Sequence, residues 1–136
     1  KQCREVGFTP KFFASAGAVS KKLIEIAKDA AEGMVCATAW FDADSNDPRI
    51  QAFTVAYKAR NNDPPDWVAA NSYDAIFIVA EVLKGGASSG EAMKASLHAT
   101  KDFPGIAGTT TFDAAGGVVK PVGLVKVISG QFSRIK

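Results

Sequence analysis

The pattern of apolar and polar positions divides the chain into short, clearly punctuated elements. Residues 1 to 6 read as the end of a helix stopped by Gly7, because glycine takes the left-handed turn that closes helices. After Pro10, the segment KFFA (residues 11 to 14) is too short for anything but a strand. It breaks into Ser15, Ala16, Gly17 and Ala18, small residues that make either a tight turn or a loop whose backbone something else approaches closely. Ser20 is placed to cap a helix from Lys21 to about Ala31, with Leu23, Ile26, Ala27 and Ala30 on one face, and Gly33 ends it. MVCATAW, residues 34 to 40, is apolar enough to be a strand buried on both faces, as in a parallel sheet.

The middle of the chain is helical. FDADSNDP ends in a start signal, Asp47 as N-cap and Pro48 at the first helical position, and the helix places Ile50, Phe53, Ala56 and Tyr57 together. NNDPPD breaks it. Asp66 caps a longer helix from Trp67 to about Lys84, apolar almost all round between Ala75 and Leu83 and therefore expected to be deeply packed. Gly85 and Gly86 terminate it, and Ser88 with Glu91 form a capping box for a third helix over residues 89 to 99. After Pro104 the texture changes: Thr109–Phe112, Val118–Ile128 and Gln131–Ile135 read as strands separated by the turns DAAGG and SG. The order is α/β with an antiparallel, strand-rich tail.

Composition narrows the function classes. The 136 residues are 47% hydrophobic and 22% charged, which supports a folded domain and argues against disorder. Sixteen basic and fourteen acidic residues are interspersed, so no basic footprint for nucleic acid exists. The longest apolar run, Ala75 to Val82, is interrupted by Glu81 and too short to span a bilayer. A chain starting at Lys1 is either processed or a piece, so the absence of a leader says nothing about secretion. Cys3 and Cys36 have no ligand spacing; they are read as two buried thiols, with a disulfide open in an oxidising compartment.

Three patterns that could carry chemistry do not hold together. DADSND starts like a calcium loop, but its sixth position is Asp47 where Gly is needed, and its twelfth is Phe53 where a bidentate Glu is needed. GASSG, residues 86 to 90, has the letters of a nucleophile elbow but follows a helix instead of a strand. His98 is the only histidine and has no carboxylate spaced to orient it, so it reads as a surface or partly packed residue. No catalytic machinery and no cofactor motif emerges, and the expectation is a protein that is not an enzyme.

Several features in order resemble the periplasmic solute-binding proteins of branched-chain amino acid (Leu/Ile/Val) type ABC transporters. They are Ala31-Glu32-Gly33 entering a strand, Phe53-x-x-Ala-Tyr-Lys58 on a helix, and the triplet Tyr73-Asp74-Ala75. A Gly108-x-x-x-Phe-Asp113 turn and a final hairpin through Gly130 complete the series. The resemblance implies a type I periplasmic-binding-protein-like fold with Rossmann-like three-layer lobes, of which this chain is the carboxy-terminal portion. Residues 1 to 37 would then belong to the second lobe and 38 to 120 to the first, while 121 to 136 form the final crossing and hairpin of the second. The first strands of both lobes would be missing, leaving helices such as 67 to 84 without the sheet they cover. A fragment of this kind is expected to arise by cleavage, or to complete itself as an element-swapped homodimer.

The implied function is extracytoplasmic capture of a small molecule between two lobes that close like a hinge, handing it to the membrane permease of an ABC importer. A ligand-sensing domain of a receptor or regulator with the same fold is the alternative. The resemblance carries ligand contacts to Ser15, Ala16 and Gly17 in the loop after the first strand, and to Trp67 and Val68 at the start of the long helix. Amino acid-binding members have an acidic residue for the ligand ammonium where Ala16 stands here. An uncompensated ammonium would be costly, so Ala16 and the Trp67 indole point to an apolar or aromatic carboxylate, beside an amino-acid-like ligand. Trp40 and Phe41 follow the crossing strand and are placed near the hinge, as packing residues. No cofactor, metal or nucleic acid is implied.

Overall fold

The computed structural model describes residues 1–39 and 41–135. In chain order it contains α1 (Gln2–Glu5), β1 (Phe13–Ala14), α2 (Lys21–Ala27), β2 (Val35–Thr38), α3 (Pro48–Asn61), α4 (Trp67–Lys84) and α5 (Gly90–Ala99). The tail adds β3 (Phe103–Gly105), β4 (Gly108–Phe112), β5 (Val118–Val119), β6 (Gly123–Ile128) and β7 (Gln131–Ile135). Two compact units emerge, one of Lys1–Ala39 with Val122–Lys136 and one of Trp40–Pro121.

The first unit is built on a four-stranded sheet in the order β1-β2-β6-β7, with β1 parallel to β2 and the other pairs antiparallel. Cys36, Val125 and Val127 are almost fully buried at its centre. Each such valine contributes about 1.5–3 kcal/mol relative to an exposed one. Ser129 and Gly130 both have positive φ, 51° and 73°, the geometry of a two-residue turn whose twist matches the strands it joins. The Glu32 carboxylate accepts from the Ser129 and Gly130 amides at 3.1 and 3.3 Å, so the Ala-Glu-Gly segment pins the β6–β7 turn.

Two expectations fail in this unit. The helix predicted to Ala31 stops at Ala27, because Lys28 adopts φ 49° and the chain continues as a 3-10 turn over Lys28–Ala31. Within α2 the half-buried face runs through Leu23, Ile24 and Ala27, and Ile26, expected on that face, is 62% exposed. The strand expected to be buried on both faces buries Cys36 and Thr38 but exposes Ala37, so it has one covered face, and it lies in a mixed sheet.

The second unit carries α3, α4 and α5 and the antiparallel sheet β3-β4-β5. Asp47 and Asp66 cap α3 and α4, accepting from the Arg49 and Ala69 amides at 2.8 and 2.9 Å. The α5 cap is Ser89, not Ser88: Ser89 is extended and its Oγ accepts from the Ala92 amide at 3.2 Å. Glu91 therefore falls at the second helical position, outside a capping box, where its charge still favours the helix N-terminus. The expected strand Val118–Ile128 is split by Lys120–Val122, with β5 in one sheet and β6 in the other; Pro121 has no N–H to give a ladder.

Helix α4 buries a single stripe, Ala70, Asp74, Ile78 and Val82, at four-residue spacing. Ile76 is 69% exposed, and Phe77, Val79 and Leu83 are also open. This contradicts deep packing all round: the chain supplies cover for one side of an apolar helix only. The buried stripe meets the loop after β3, where Ala70, Ile106 and Ala107 form a core flanked by Phe41, Ile50 and Phe53.

Candidate functional site

In the first unit, the loop carrying Ser15, Ala16 and Gly17 begins at the carboxyl end of β1 and winds into a 3-10 turn over Ala16–Ala18. The Ser15 and Ala16 carbonyls accept from the Ala18 and Val19 amides at 3.0 and 2.9 Å, which closes the turn without help from the Ser15 side chain. The turn lies against β2, which runs parallel to β1 and ends on the same side. Loops beyond the carboxyl ends of parallel strands are where open α/β sheets place ligands. Ser15 and Gly17 are exposed and Ala16 is half-buried, so the loop presents small side chains and uncharged backbone. A Cβ added at Gly17 meets nothing within 4 Å.

In the second unit, Trp67 and Val68 occupy the first turn of α4, capped by Asp66. Trp67 is half-buried and its carbonyl accepts from Asn71 Nδ2 at 2.7 Å; Val68 is half-exposed. Val68 borders an open concavity of about 570 Å³ with Phe53, Tyr57, Tyr73 and Ile76. The rings of Phe53 and Tyr73 stand 4.8 Å apart and Tyr73 and Phe77 4.6 Å, making an aromatic wall across α3 and α4. Trp67, on the same first turn, is not among the residues that line that concavity. Trp40 lies outside the described residues, and Phe41 packs edge-on against Phe53 at 6.0 Å.

The most closely knit polar group was not singled out as functional from the sequence. Asp74 is 3% exposed, and its two oxygens accept from the Ile106 and Ala107 amides at 2.8 and 2.9 Å. Lys120 Nζ lies 2.8 Å from Asn71 Oδ1 and 3.5 Å from Asp74 Oδ2. Gly105 makes room for the carboxylate: a Cβ there would fall 2.2 Å from Asp74 Oδ2. The signal was visible, since an aspartate inside the apolar stretch of a helix must find buried donors. Beside this group is a mainly apolar cavity of about 300 Å³, bounded by Ile78, Leu97, Phe112 and Val118. Thr110 also lines it, and its Oγ1 is buried with no hydrogen-bond partner among the described residues.

Among the described residues, the groups with displaced pKa values do not converge on one centre. Asp47 sits below the usual carboxylate range because the Arg49 side chain and amide donate to it, and Arg49 is raised by the same pairing. Burial pushes the Cys36 thiol up. Both cysteines are free, and Cys3 is exposed, which corrects the expectation of two buried thiols. His98 is half-buried and packs close to Gly116. Ser88 is exposed in the short loop between α4 and α5, and it follows a helix where an elbow nucleophile would follow a strand. Among the described residues, no helix is long and apolar enough to cross a membrane.

Comparison with known proteins bears on the whole chain. The family model described as periplasmic binding protein matches residues 1–131. A leucine-, isoleucine-, valine-, threonine- and alanine-binding protein of Pseudomonas aeruginosa is 29% identical over 117 residues, 85% of this chain and 31% of that protein. The leucine-binding protein LivK of Thermotoga maritima superposes with a TM-score of 0.86 at 27% identity, covering 99% of this chain and 39% of its own. LivJ of Streptococcus pneumoniae, a branched-chain amino acid transporter substrate-binding protein solved with isoleucine, gives 0.78 at 26% identity, covering 98% of this chain and 40% of its own. The chain thus spans 31–40% of the length of these relatives. With the family model matching nearly every residue and the α/β fold of the type I members in place, the chain belongs to the periplasmic binding protein family.

Proposed function

We propose that this chain is the carboxy-terminal portion of the extracytoplasmic solute-binding component of an ABC importer. Its first unit supplies part of the second lobe and its second unit part of the first. The observation that carries the reading is the Ser15–Gly17 turn at the carboxyl end of two parallel strands, in a chain that matches a binding-protein family along its length. Ligand is captured between the lobes, which close like a hinge, and the closed form is presented to a membrane permease. Ser15, Ala16 and Gly17 contribute from one lobe and Trp67 and Val68 from the other. The uncovered face of α4, with Ile76, Phe77 and Leu83, is closed in the longer protein by the rest of the first lobe; alone, the chain closes it by exchanging elements with a second copy.

Ligand chemistry follows from Ala16. An α-ammonium group removed from water needs an acceptor charge, and the turn offers only carbonyls and one hydroxyl. The substrate class is accordingly a small apolar or aromatic carboxylate, with amino-acid-like ligands second. The test is Ala16→Glu in the full-length protein, followed by calorimetric titration with phenylacetate and L-leucine. Weakened phenylacetate binding, with leucine binding gained or unchanged, is the expected result. Affinity for both ligands identical to the unmodified protein would mean that the loop does not face the ligand.

A further inference from the structure

Described residues near both ends of the second unit, Phe41 and Lys120, bear on a single loop, Gly105–Ile106–Ala107. Phe41, the first described residue of that unit, packs on the core made by Ala70, Ile106 and Ala107. At the other end Lys120, one residue before the unit's last, is almost buried with its side chain 11% exposed. Its ammonium rests on Asn71 and Asp74, and Asp74 in turn holds the Ile106 and Ala107 amides. One side chain thus connects the loop on which Phe41 sits to the lysine at the opposite root. Arg49 Nη1 adds a bond to the Pro104 carbonyl at 2.8 Å, fixing the same loop from α3.

Such an arrangement is a costly way to gain stability. A nearly buried Lys–Asp pair loses hydration that its attraction only partly returns, whereas its geometry is strongly specified. Hinges work when a few residues absorb the change of backbone angles while their roots stay fixed. We propose that Asp74 is a positioning residue that, through Lys120 and the Ile106–Ala107 loop, fixes the points from which both connecting segments depart, and so limits the swing between the units. The proposal rests on the two-lobed reading above and adds to it the residue that controls the hinge.

The experiment is a distance measurement on the full-length protein without ligand. Spin labels go on the exposed Cys3 of the first unit and at the exposed position 88 of the second (Ser88→Cys), while buried Cys36 stays unmodified. Lys120→Met and Asp74→Asn should broaden and shift the distance distribution relative to the unmodified chain, and Lys120→Arg should restore it. Phe41→Leu, at the other root and well tolerated sterically, should broaden it as well. A role limited to stability lowers the melting midpoint and leaves the native distribution where it was; that result in Lys120→Met and Phe41→Leu overturns the proposal. Because no ligand is present, failure here is separate from failure of the binding reading, which addition of phenylacetate or L-leucine to the same labelled chain reports independently.

Discussion

Replacing Gly105 by alanine probes the tightest contact in the second unit. An ideal Cβ at residue 105 would lie 2.2 Å from Asp74 Oδ2 and 2.5 Å from its Cγ, inside any tolerable contact. The carboxylate must retreat, and with it go the bonds to the Ile106 and Ala107 amides at 2.8 and 2.9 Å. A hydrogen bond to a charged group is worth about 1.5–3 kcal/mol, so losing both costs about 3–6 kcal/mol. Gly105 does not have a positive φ, so alanine suffers no backbone penalty there and regains roughly 0.4–1 kcal/mol by restricting the unfolded chain. The net loss is about 2–5.6 kcal/mol, a large share of the roughly 5–15 kcal/mol that holds an ordinary domain together. Urea unfolding, followed by far-ultraviolet circular dichroism, reads it as a lower midpoint. A double-mutant cycle with Asp74→Ala isolates the cause: once the carboxylate is gone, Gly105→Ala should be nearly neutral. An equal loss in both backgrounds would refute the steric argument, as would a Gly105→Ala chain as stable as the original.

Three further predictions follow from local geometry. Cys3 should react with a thiol reagent at once and Cys36 only on unfolding, since burial both shields that thiol and raises its pKa; two fast thiols would contradict the core of the first sheet. Lys28→Gly should raise the melting midpoint by a net stabilisation of about 0.5–1 kcal/mol, because φ 49° strains a lysine and suits glycine; a lower midpoint would place the break elsewhere. Asp47 has its folded pKa below its unfolded value, so its contribution is present above the unfolded carboxylate range and lost as pH falls through the folded one. Melting midpoints between about pH 6 and pH 2 should therefore fall less steeply in Asp47→Asn than in the unmodified chain, and parallel curves would contradict the Arg49 pairing.

Legibility in the sequence tracked local chemistry. Asp47-Pro48 and Asp66 announced α3 and α4 because an N-cap acts within its own first turn, and the structure starts both helices there. The Ser129-Gly130 turn was equally plain. The α5 start slipped by one residue because Ser88 and Ser89 are chemically alike, and only backbone angles choose between them. Strand β3 was missed because Pro104 and Gly105 are poor strand residues, yet Phe103–Gly105 pairs with Gly108–Thr110, held in register by the Asp74 bonds beyond it. The break at Lys28 has no glycine to announce it. Burial was least legible: an all-apolar face over Ala75–Leu83 reads as core wherever a partner exists, and the chain provides a partner for one stripe only.

The candidate site was legible through family resemblance far more than through pattern. Spacing alone gave a turn of small residues after a strand; nothing local marks Ser15–Gly17 as a ligand surface. Asp74, by contrast, could have been found from the sequence, because an acid flanked by Tyr73 and Ala75 in a buried helix stripe demands donors from another element. Its partners, two amides and a lysine between 32 and 46 residues downstream, could not.

Calorimetric titration of the full-length protein with phenylacetate and with L-leucine decides which ligand class the cleft takes. Phenylacetate should bind saturably and one-to-one, with L-leucine weaker, because the Ser15–Gly17 turn offers no charge for an ammonium group. Tight binding of L-leucine with no heat from phenylacetate would contradict it.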